Sequence, residues 1–264
     1  MGLGLAILLG IIQGLTEFLP VSSSGHLVLF GTWFGLAESD LTFEILVHLA
    51  TLLAILVYFR EDWRQLWGLL RGRGAGELPR LVILHLIIAT LPAVIVGLLF
   101  HEHLAWFHGR PAWIGACLLV TGTILLAGLL IRREGLPLDR LSWLVALTMG
   151  MAQAVAILPG ISRAGITIMT ALFLGMQREA AARFSFLMAV PVIGGAGLLA
   201  VLDLASRAQA ISSQTMLAYG AGFAAAALSG FFALTFVMFL LRGRRFFYFG
   251  LYCLTLGMAA ILLG

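Results

Sequence analysis

The chain has 264 residues, of which 61% are hydrophobic and 11% are charged, whereas ordinary soluble domains carry about 25% charged residues. Such a chain cannot cover a water-facing surface, and its long continuous apolar stretches lack the alternating pattern of a membrane β-barrel. Its net charge of +4 comes from arginines clustered between the apolar stretches, which is typical of membrane topology rather than of nucleic-acid binding. The sequence therefore predicts a single all-α membrane domain, residues 1–264, that contacts lipids and no nucleic acid.

The apolar stretches divide into helices of two lengths. A bilayer core takes about 20 apolar residues per helix, and six stretches reach that length. Four shorter helical segments form two pairs, each broken in its middle by proline, glycine and serine. The six predicted spans are residues 40–59, 81–100, 112–131, 184–202, 215–241 and 246–264. The short pairs are residues 2–18 with 22–36, and 141–158 with 162–176.

The arginines orient this predicted bundle. When the six spans alternate in direction, four loops rich in arginine fall on one side, and only Arg110 and Arg207 fall on the other. These loops hold Arg60, Arg64, Arg71, Arg73, Arg80, Arg132, Arg133, Arg140, Arg178, Arg183, Arg242, Arg244 and Arg245. Because cytoplasmic loops are the arginine-rich ones, both termini are predicted to face outward.

The two halves of the chain resemble each other at an offset of 140 residues. The matching pairs are Gly10 with Gly150, Gln13 with Gln153, Ser22 with Ser162, Gly25 with Gly165 and Gly35 with Gly175. Each half consists of one broken pair and three spans, so repeat one (about 1–131) and repeat two (about 141–264) must be inverted relative to each other. If the broken pairs are re-entrant, their tips enter from opposite faces and meet near the midplane. The predicted fold is a polytopic helical bundle with two inverted-topology repeats, six spanning helices and two re-entrant helix pairs.

The first break contains polar residues of the types that bind ions and catalyse reactions. Gln13 and Glu17 lie four residues apart and share one helical face, where an amide and a carboxylate could hold an oxygen-preferring divalent ion such as magnesium or calcium. Pro20 ends the helix, Ser22 is placed to cap the next one, and Ser23, Ser24 and His26 follow in or near its first turn. Ionisable groups at membrane depth are costly, which makes Glu17 and His26 functional candidates.

The second break reads Pro159-Gly160-Ile161-Ser162-Arg163-Ala164-Gly165-Ile166-Thr167. Ser162 is a predicted helix cap, and Arg163 lies in the first helical turn. Free amides, the positive end of the helix dipole and a guanidinium together describe an anion site that suits phosphate. The spacing of a Walker phosphate loop is absent.

Together the two breaks supply the groups needed for phosphoryl transfer or hydrolysis. Ser23 is the candidate nucleophile, His26 the acid or base, Glu17 the carboxylate and Arg163 the phosphate clamp. Simpler interpretations stay open: Ser22 and Ser162 as plain helix caps, and Glu17 as no more than an ion-pair partner of Arg163. Glu44 and His48 either flank the site or only pack, and His101, His103 and His108 are expected to be ordinary surface residues.

These motifs, together with Phe43-Glu44 and the stretch Phe184 to Pro191, resemble the undecaprenyl-diphosphate phosphatase family of the bacitracin-resistance type. The resemblance implies hydrolysis of undecaprenyl diphosphate in the bacterial inner membrane, helped by a divalent cation. Carried over by position, Glu17 and His26 are essential, Ser22 and Ser23 line the site, and Ser162, Arg163 and Thr167 bind the diphosphate. We add Ser24 and Gly165 as candidate substrate contacts. Gln13 replaces a glutamate found in many members, which weakens a two-carboxylate metal site. Ala164 replaces a common serine, which removes one possible hydroxyl contact to phosphate.

Two questions of mechanism stay open at this stage. Either Ser23 attacks phosphorus while His26 handles the proton, or His26 is itself the nucleophile. A secondary transporter or lipid-carrier flippase with a midplane anion site would have the same architecture. The site is predicted to open on the periplasmic side, and the chain could form an oligomer.

Overall fold

A computed structural model describes residues 1–33, 41–72, 81–104, 110–131, 135–206, 212–241, 243 and 246–263 of the chain. Eleven α-helices contain most of these residues. They are α1 (Leu3–Phe18), α2 (Ser23–Trp33), α3 (Leu41–Tyr58), α4 (Arg60–Leu70), α5 (Val82–Leu104), α6 (Pro111–Ala127), α7 (Trp143–Val155), α8 (Arg163–Phe173), α9 (Arg178–Ser206), α10 (Ser213–Leu241) and α11 (Phe247–Leu263). Short 3-10 turns occupy Gly128–Leu130 and Leu138–Arg140. The all-α prediction is confirmed, and so are both helix breaks.

The burial pattern is that of a protein in lipid. The outward faces of α5 and α10 expose large apolar side chains such as Leu99, Phe232 and Phe239, each more than 60% accessible. Polar and charged side chains, among them Gln13 and His26, are buried inside the bundle instead. A soluble protein buries its apolar groups and exposes its charges, so this inverted distribution indicates a multi-pass membrane protein.

Within the described ranges, four helical stretches are long and apolar enough to cross a membrane: Val82–Phe100, Pro111–Leu130, Arg178–Leu202 and Ser213–Leu241. A fifth span is formed if Thr42–Tyr58 and Arg60–Leu70 are counted together, although they meet at a bend of 78°. The predicted span at 246–264 corresponds to α11, whose 17 apolar residues cover only about 26 Å. The structure thus gives four to five spans by length, where the sequence predicted six.

Several arginines predicted to lie in loops lie on helices. Arg60 and Arg64 belong to α4, which turns sharply away from α3, and Arg178 and Arg183 begin α9. The prediction was wrong here because it treated every polar segment between apolar stretches as a connection. Arg183 binds Asp62 of α4 at 2.5 Å, so the basic residues of this end also tie helices together. Arg73, Arg80, Arg132, Arg133, Arg207, Arg242, Arg244 and Arg245, like Gly35, lie outside the described residues.

The helices before each break pack against a helix from the other half of the chain. The main neighbour of α1 is α10, and the main neighbour of α7 is α5. Each contact is close because a small residue is present: a Cβ on Gly10 would overlap the backbone of Gly222, and one on Gly150 would overlap the backbone of Ala89. Small residues that let backbones approach are what drives helix association in lipid. The two breaks are therefore held at fixed positions by closely packed helices.

Gly160, within the second break, is a position where only glycine fits. Its φ is +96°, and an added Cβ would come within 2.6 Å of the Ile114 carbonyl oxygen and the Cys117 Cβ. We expect Gly160→Ala to lower the free energy of unfolding by roughly 2–4 kcal/mol, from backbone strain plus overpacking. Gly175→Ala is the matched control, because Gly175 also has a positive φ (+86°) but has open space around it. Equal losses of thermal stability in the two variants would contradict this account.

Candidate active site

The two helix breaks lie against each other, as the sequence predicted. The Gly160 N–H donates to Ser22 Oγ at 3.1 Å. Thr121 of α6 holds the second break from the other side, since its hydroxyl donates to the Gly160 carbonyl at 2.9 Å and accepts from the Ser162 N–H at 3.1 Å. Cys253 of α11 contacts the Pro20 carbonyl at 3.7 Å. The irregular backbone of both breaks is thus bonded inside the protein, which a membrane environment requires.

Both predicted helix caps are present. Ser22 Oγ accepts the Gly25 N–H at 3.3 Å, and Ser162 Oγ accepts the Gly165 N–H at 3.0 Å. Ser22 also has a φ of +68°, the left-handed region that a residue with a Cβ rarely adopts. Such strain costs about 1–3 kcal/mol and is concentrated at functional sites. The Gly165 N–H is committed to its cap.

Glu17 is the centre of the site. Its Oε1 accepts from Arg163 Nη2 at 2.6 Å, and its Oε2 accepts from Ser23 Oγ at 2.5 Å and from Gln13 Nε2 at 3.0 Å. The Glu17 side chain is 7% exposed and that of Arg163 is 15% exposed. The expected Glu17–Arg163 ion pair therefore exists, and the same carboxylate is also the hydrogen-bond acceptor of Ser23. A buried carboxylate that bonds a hydroxyl is placed to remove its proton.

Two atoms of this cluster have no partner. Arg163 Nη1, a donor, and Gln13 Oε1, an acceptor, are fully buried without a hydrogen bond to any described residue. Buried polar atoms are nearly always paired, so an unpaired donor and an unpaired acceptor beside one carboxylate indicate a site for a ligand. The guanidinium donor suits an anion, and the amide oxygen suits a cation.

His26 is buried next to Ser22. Its Nδ1 lies 2.7 Å from the Ser22 carbonyl oxygen, and its Nε2 lies 2.7 Å from the Tyr252 hydroxyl. Because a carbonyl only accepts, Nδ1 carries a hydrogen, and in the neutral ring Nε2 accepts from Tyr252. No hydrogen bond joins His26 to Ser23 within the described structure. The hydrogen-bond acceptor of Ser23 is Glu17, whereas the sequence hypothesis had His26 handle the proton of Ser23.

The remaining candidates lie around this centre. His48 Nε2 is 3.9 Å from Glu17 Oε2, so His48 flanks the site, and its Nδ1 bonds the Glu44 carbonyl at 2.8 Å. Thr167 is fully buried and bonds the Arg163 carbonyl at 2.7 Å. Ser24 Oγ lies 3.4 Å from Ser22 Oγ. The side chains of His101, His103 and His108 lie outside the described part of the structure.

Three residues of this site were missed by sequence reasoning. Tyr252 reaches His26 from α11, Thr121 reaches the second break from α6, and Ser185 of α9 bonds the Thr167 hydroxyl at 2.6 Å. Each lies in an ordinary apolar helix far along the chain from its partner. Ser185 falls within the stretch used for the family resemblance, which is the only signal that points to any of the three.

The described residues offer few ligands for a metal. No group of three or more His, Cys, Asp or Glu side chains that could hold a metal occurs among them. Glu17 supplies one carboxylate and Gln13 supplies the unpaired Oε1. This donor set fits a hard cation such as magnesium or calcium only if phosphate oxygens or waters complete its shell, as is common for magnesium.

Known proteins resemble this chain over nearly its whole length. The family model "Bacitracin resistance protein BacA" matches residues 6–259. A protein named undecaprenyl-diphosphatase from Christiangramia forsetii is 44% identical over 97% of this chain and 96% of its own length. Proteins of the same name from Desulfatibacillum aliphaticivorans (95% of each chain) and Syntrophotalea carbinolica (96% and 95%) are 41% and 42% identical. The chain belongs to the bacitracin resistance protein BacA family.

Proposed function

We propose that this protein hydrolyses undecaprenyl diphosphate to undecaprenyl phosphate and inorganic phosphate, and so returns the lipid carrier to cell-wall synthesis. The observation that carries the proposal is the buried cluster in which one carboxylate, Glu17, bonds both a hydroxyl nucleophile and a guanidinium. The names of the relatives point to the same reaction. Undecaprenyl-diphosphate phosphatase is the activity that accounts for all three groups.

Arg163 binds the substrate in this mechanism. Its unpaired Nη1 is free to donate to a phosphate oxygen, and the positive end of α8 adds to the attraction. A diphosphate at Nη1 shares the positive charge of the guanidinium, while Nη2 keeps its bond to Glu17. Substrate binding would thereby weaken the ion pair of the carboxylate at the moment when Ser23 needs a proton acceptor.

Ser23 then attacks the terminal phosphorus. Its oxygen forms the new P–O bond, the bond to the bridging oxygen breaks, and undecaprenyl phosphate leaves with the bonding electrons. Glu17 takes the hydroxyl proton. Water next attacks the phosphoserine, inorganic phosphate leaves, and the proton returns to Ser23. In the rival version His26 is the nucleophile, which requires its Nε2 to leave Tyr252.

A divalent cation would be held by Glu17 and the Oε1 of Gln13, with oxygens of the substrate as further ligands. When bound, it would neutralise negative charge on the transferring phosphoryl group. Gln13 itself keeps Glu17 in place through its Nε2. Ser22, Ser24, Ser162, Gly165 and Thr167 remain the proposed substrate-binding residues. Ser22, Ser162 and Gly165 act through the capped helix starts, since the Gly165 N–H is bonded to Ser162.

The alternative function, a transporter or flippase, explains less of the site. A transport site needs groups that bind an anion, and Arg163 with two helix starts would be enough. It has no use for a hydroxyl bonded at 2.5 Å to a buried carboxylate. Hydrolysis is therefore favoured.

The internal symmetry of the bundle supports the proposed inverted repeats, about 1–131 and 141–264. Close approaches occur in related pairs: Gly25 lies against Gly160, and Pro20 lies against Gly165. The second pair is related to the first by the offset of 140 residues, since Gly25 corresponds to Gly165 and Pro20 corresponds to Gly160. In the same way, α6 and α11 meet at two reciprocal glycine contacts. These join Gly115 with Gly257 and Gly122 with Gly250. A two-fold relation between the halves accounts for both patterns.

The proposed location is the bacterial inner membrane, with both termini and the opening of the site on the periplasmic side. The distribution of arginines in the sequence supports this orientation, because thirteen of the sixteen fall at one end of the predicted spans. The substrate is a membrane lipid, and a buried site within a lipid-facing bundle is where its diphosphate would have to react.

Phosphate release from undecaprenyl diphosphate by detergent-purified protein tests the function, with wild type compared with Ser23→Ala. We expect the wild type to release phosphate and the variant to lose roughly 10³-fold in kcat, because the nucleophile is gone. Thr123→Ala is the control, since its exposed hydroxyl bonds only its own helix, at Leu119. Near-normal turnover by Ser23→Ala would rule out the serine mechanism, and no release by wild type with any divalent cation would favour transport.

Tyr252→Phe tests the role of the hydroxyl that bonds His26. If His26 moves protons through its bond to Tyr252, loss of this bond should lower kcat by about tenfold, the value of one hydrogen bond, with little change in KM. If His26 is instead the nucleophile, whose Nε2 must leave Tyr252, the variant should keep or gain activity. Tyr248→Phe on the same helix is the control, because Tyr248 is 59% exposed. An unchanged or higher kcat in Tyr252→Phe would contradict proton transfer through the His26–Tyr252 bond.

A further inference from the structure

Two hydroxyl groups beside the catalytic cluster form a chain of hydrogen bonds that ends at Arg163. They belong to Thr167 of α8 and Ser185 of α9, and both residues are fully buried. Thr167 Oγ1 lies 2.7 Å from the Arg163 carbonyl oxygen and 2.6 Å from Ser185 Oγ. The proposed reaction depends on Arg163 but gives Ser185 no part.

The direction of these bonds follows from what each group can donate or accept. A carbonyl oxygen only accepts, and Thr167 has a single hydroxyl hydrogen, so that hydrogen points to the Arg163 carbonyl. The Thr167 oxygen must then accept from the Ser185 hydroxyl. The chain runs from Ser185 through Thr167 to Arg163, and Thr167 has no hydrogen left to donate to a phosphate. Thr167 therefore serves the diphosphate through Arg163.

The bond from Ser185 distinguishes Thr167 from the other threonines of the bundle. A threonine often bonds the carbonyl four residues earlier in its own helix, so that bond alone indicates no function. Thr123, Thr148 and Thr235 make the same bond at exposed positions. Thr167 is buried, and its oxygen also accepts from a second helix. In lipid, such side-chain hydrogen bonds join helices at a defined relative position.

The same turn of α9 contacts the other side of the catalytic ion pair. The residue after Ser185, Phe186, is fully buried and packs edge-on against Phe18, with ring centroids 5.8 Å apart. Phe18 directly follows Glu17 in α1. One turn of α9 thus contacts the neighbour of the carboxylate and, through the hydroxyl chain, also the residue that carries the guanidinium, Arg163.

We propose that Ser185 is a positioning residue for the phosphatase reaction. By donating to Thr167 it fixes the first turn of α8, so that Arg163 Nη1 is directed at the diphosphate while Nη2 stays on Glu17. The inference rests on the proposed function, in which Arg163 is the phosphate clamp. A displacement of about 1 Å in a group that orients the substrate is enough to reduce binding or rate. The effect of Ser185 on the substrate passes through Arg163.

Equilibrium binding of a non-hydrolysable isoprenyl diphosphonate to detergent-purified protein tests the inference. We expect Ser185→Ala to raise the dissociation constant about threefold and Thr167→Val to raise it about fivefold, on the scale of one hydrogen bond each. The control is Thr235→Val, which removes an exposed hydroxyl bonded to Phe231 of its own helix and should leave binding unchanged. If Thr167 bonded the phosphate directly, Ser185→Ala would free its hydroxyl. Unchanged or tighter binding by Ser185→Ala would therefore overturn the inference.

The same substitution in an Arg163→Lys background separates positioning from general stability. Because Ser185 acts through the guanidinium, Ser185→Ala should weaken binding about threefold in wild type and have no further effect in Arg163→Lys. A purely structural role would lower the melting temperature and change binding by the same factor in both backgrounds, which would overturn the inference. Binding needs no turnover. A wild type that binds the diphosphonate but releases no phosphate would contradict the proposed function alone, and a wild type that does not bind it would overturn both.

Discussion

Arg163→Ala is expected to lower kcat/KM for undecaprenyl diphosphate by roughly 10³-fold or more, the loss typical of removing a cationic phosphate clamp. The variant loses Nη1, the unpaired donor for the diphosphate, and Nη2, the partner of Glu17 at 2.6 Å. It also leaves a buried carboxylate without its counter-charge, which is costly by itself. Both effects reduce activity, and they must be told apart.

Arg163→Lys separates catalysis from folding. Lysine keeps the positive charge near Glu17, so the fold should survive. Its single ammonium nitrogen cannot replace the two Nη atoms of the planar guanidinium, one of which bonds the carboxylate while the other bonds a phosphate. We expect an intact melting temperature in detergent and a loss of kcat/KM of about 10²-fold. If Arg163→Lys retains full activity, or if Arg163→Ala does, Arg163 does not bind the reacting phosphate.

Glu17→Gln should have an effect of similar size, a loss of roughly 10³-fold in kcat, because the amide cannot accept the Ser23 proton. The substitution preserves shape, yet Ser23 loses its charged acceptor at 2.5 Å and Arg163 keeps its charge without a partner. Phosphate release and lipid-substrate binding should be measured together. We expect turnover to fall much more than binding, since Arg163 becomes more available to the diphosphate.

The combination of the two changes provides an internal check. Residues that act as one unit give losses that do not add. Glu17→Gln/Arg163→Ala should therefore be about as inactive as either single variant, and more thermostable than Arg163→Ala, because neither buried charge remains unpaired. A double variant whose loss equals the product of the single losses would mean that the two residues act independently.

The sequence predicted the breaks and most of the catalytic cluster because these depend on local chemistry. Pro20 removes a backbone donor and ends α1, and serine caps the next helix whatever surrounds it, as Ser22 and Ser162 do. Buried charge is also local evidence, since Glu17 and Arg163 in an apolar sequence need each other or a ligand. Their ion pair across 146 residues follows from that cost.

Other features depend on which helices pack together, and the pattern of residues along a single sequence does not show this. Tyr252 and Thr121 lie in apolar helices, and nothing near them in sequence distinguishes a hydroxyl that bonds His26 or Gly160 from one that faces lipid. Ser23 bonds Glu17, and the residue before it, Ser22, has a φ of +68° that the sequence pattern did not predict. The bend between α3 and α4 likewise depends on tertiary contacts such as Asp62 with Arg183.

The most direct test of the account is an experimental structure of the protein with a non-hydrolysable isoprenyl diphosphonate. The account predicts a phosphonate oxygen within hydrogen-bond distance of Arg163 Nη1, and the terminal phosphorus close to and in line with Ser23 Oγ. A diphosphonate bound elsewhere, with Glu17, Ser23 and Arg163 still bonded only to one another, would contradict the claim that the two helix breaks form one phosphate-transfer site.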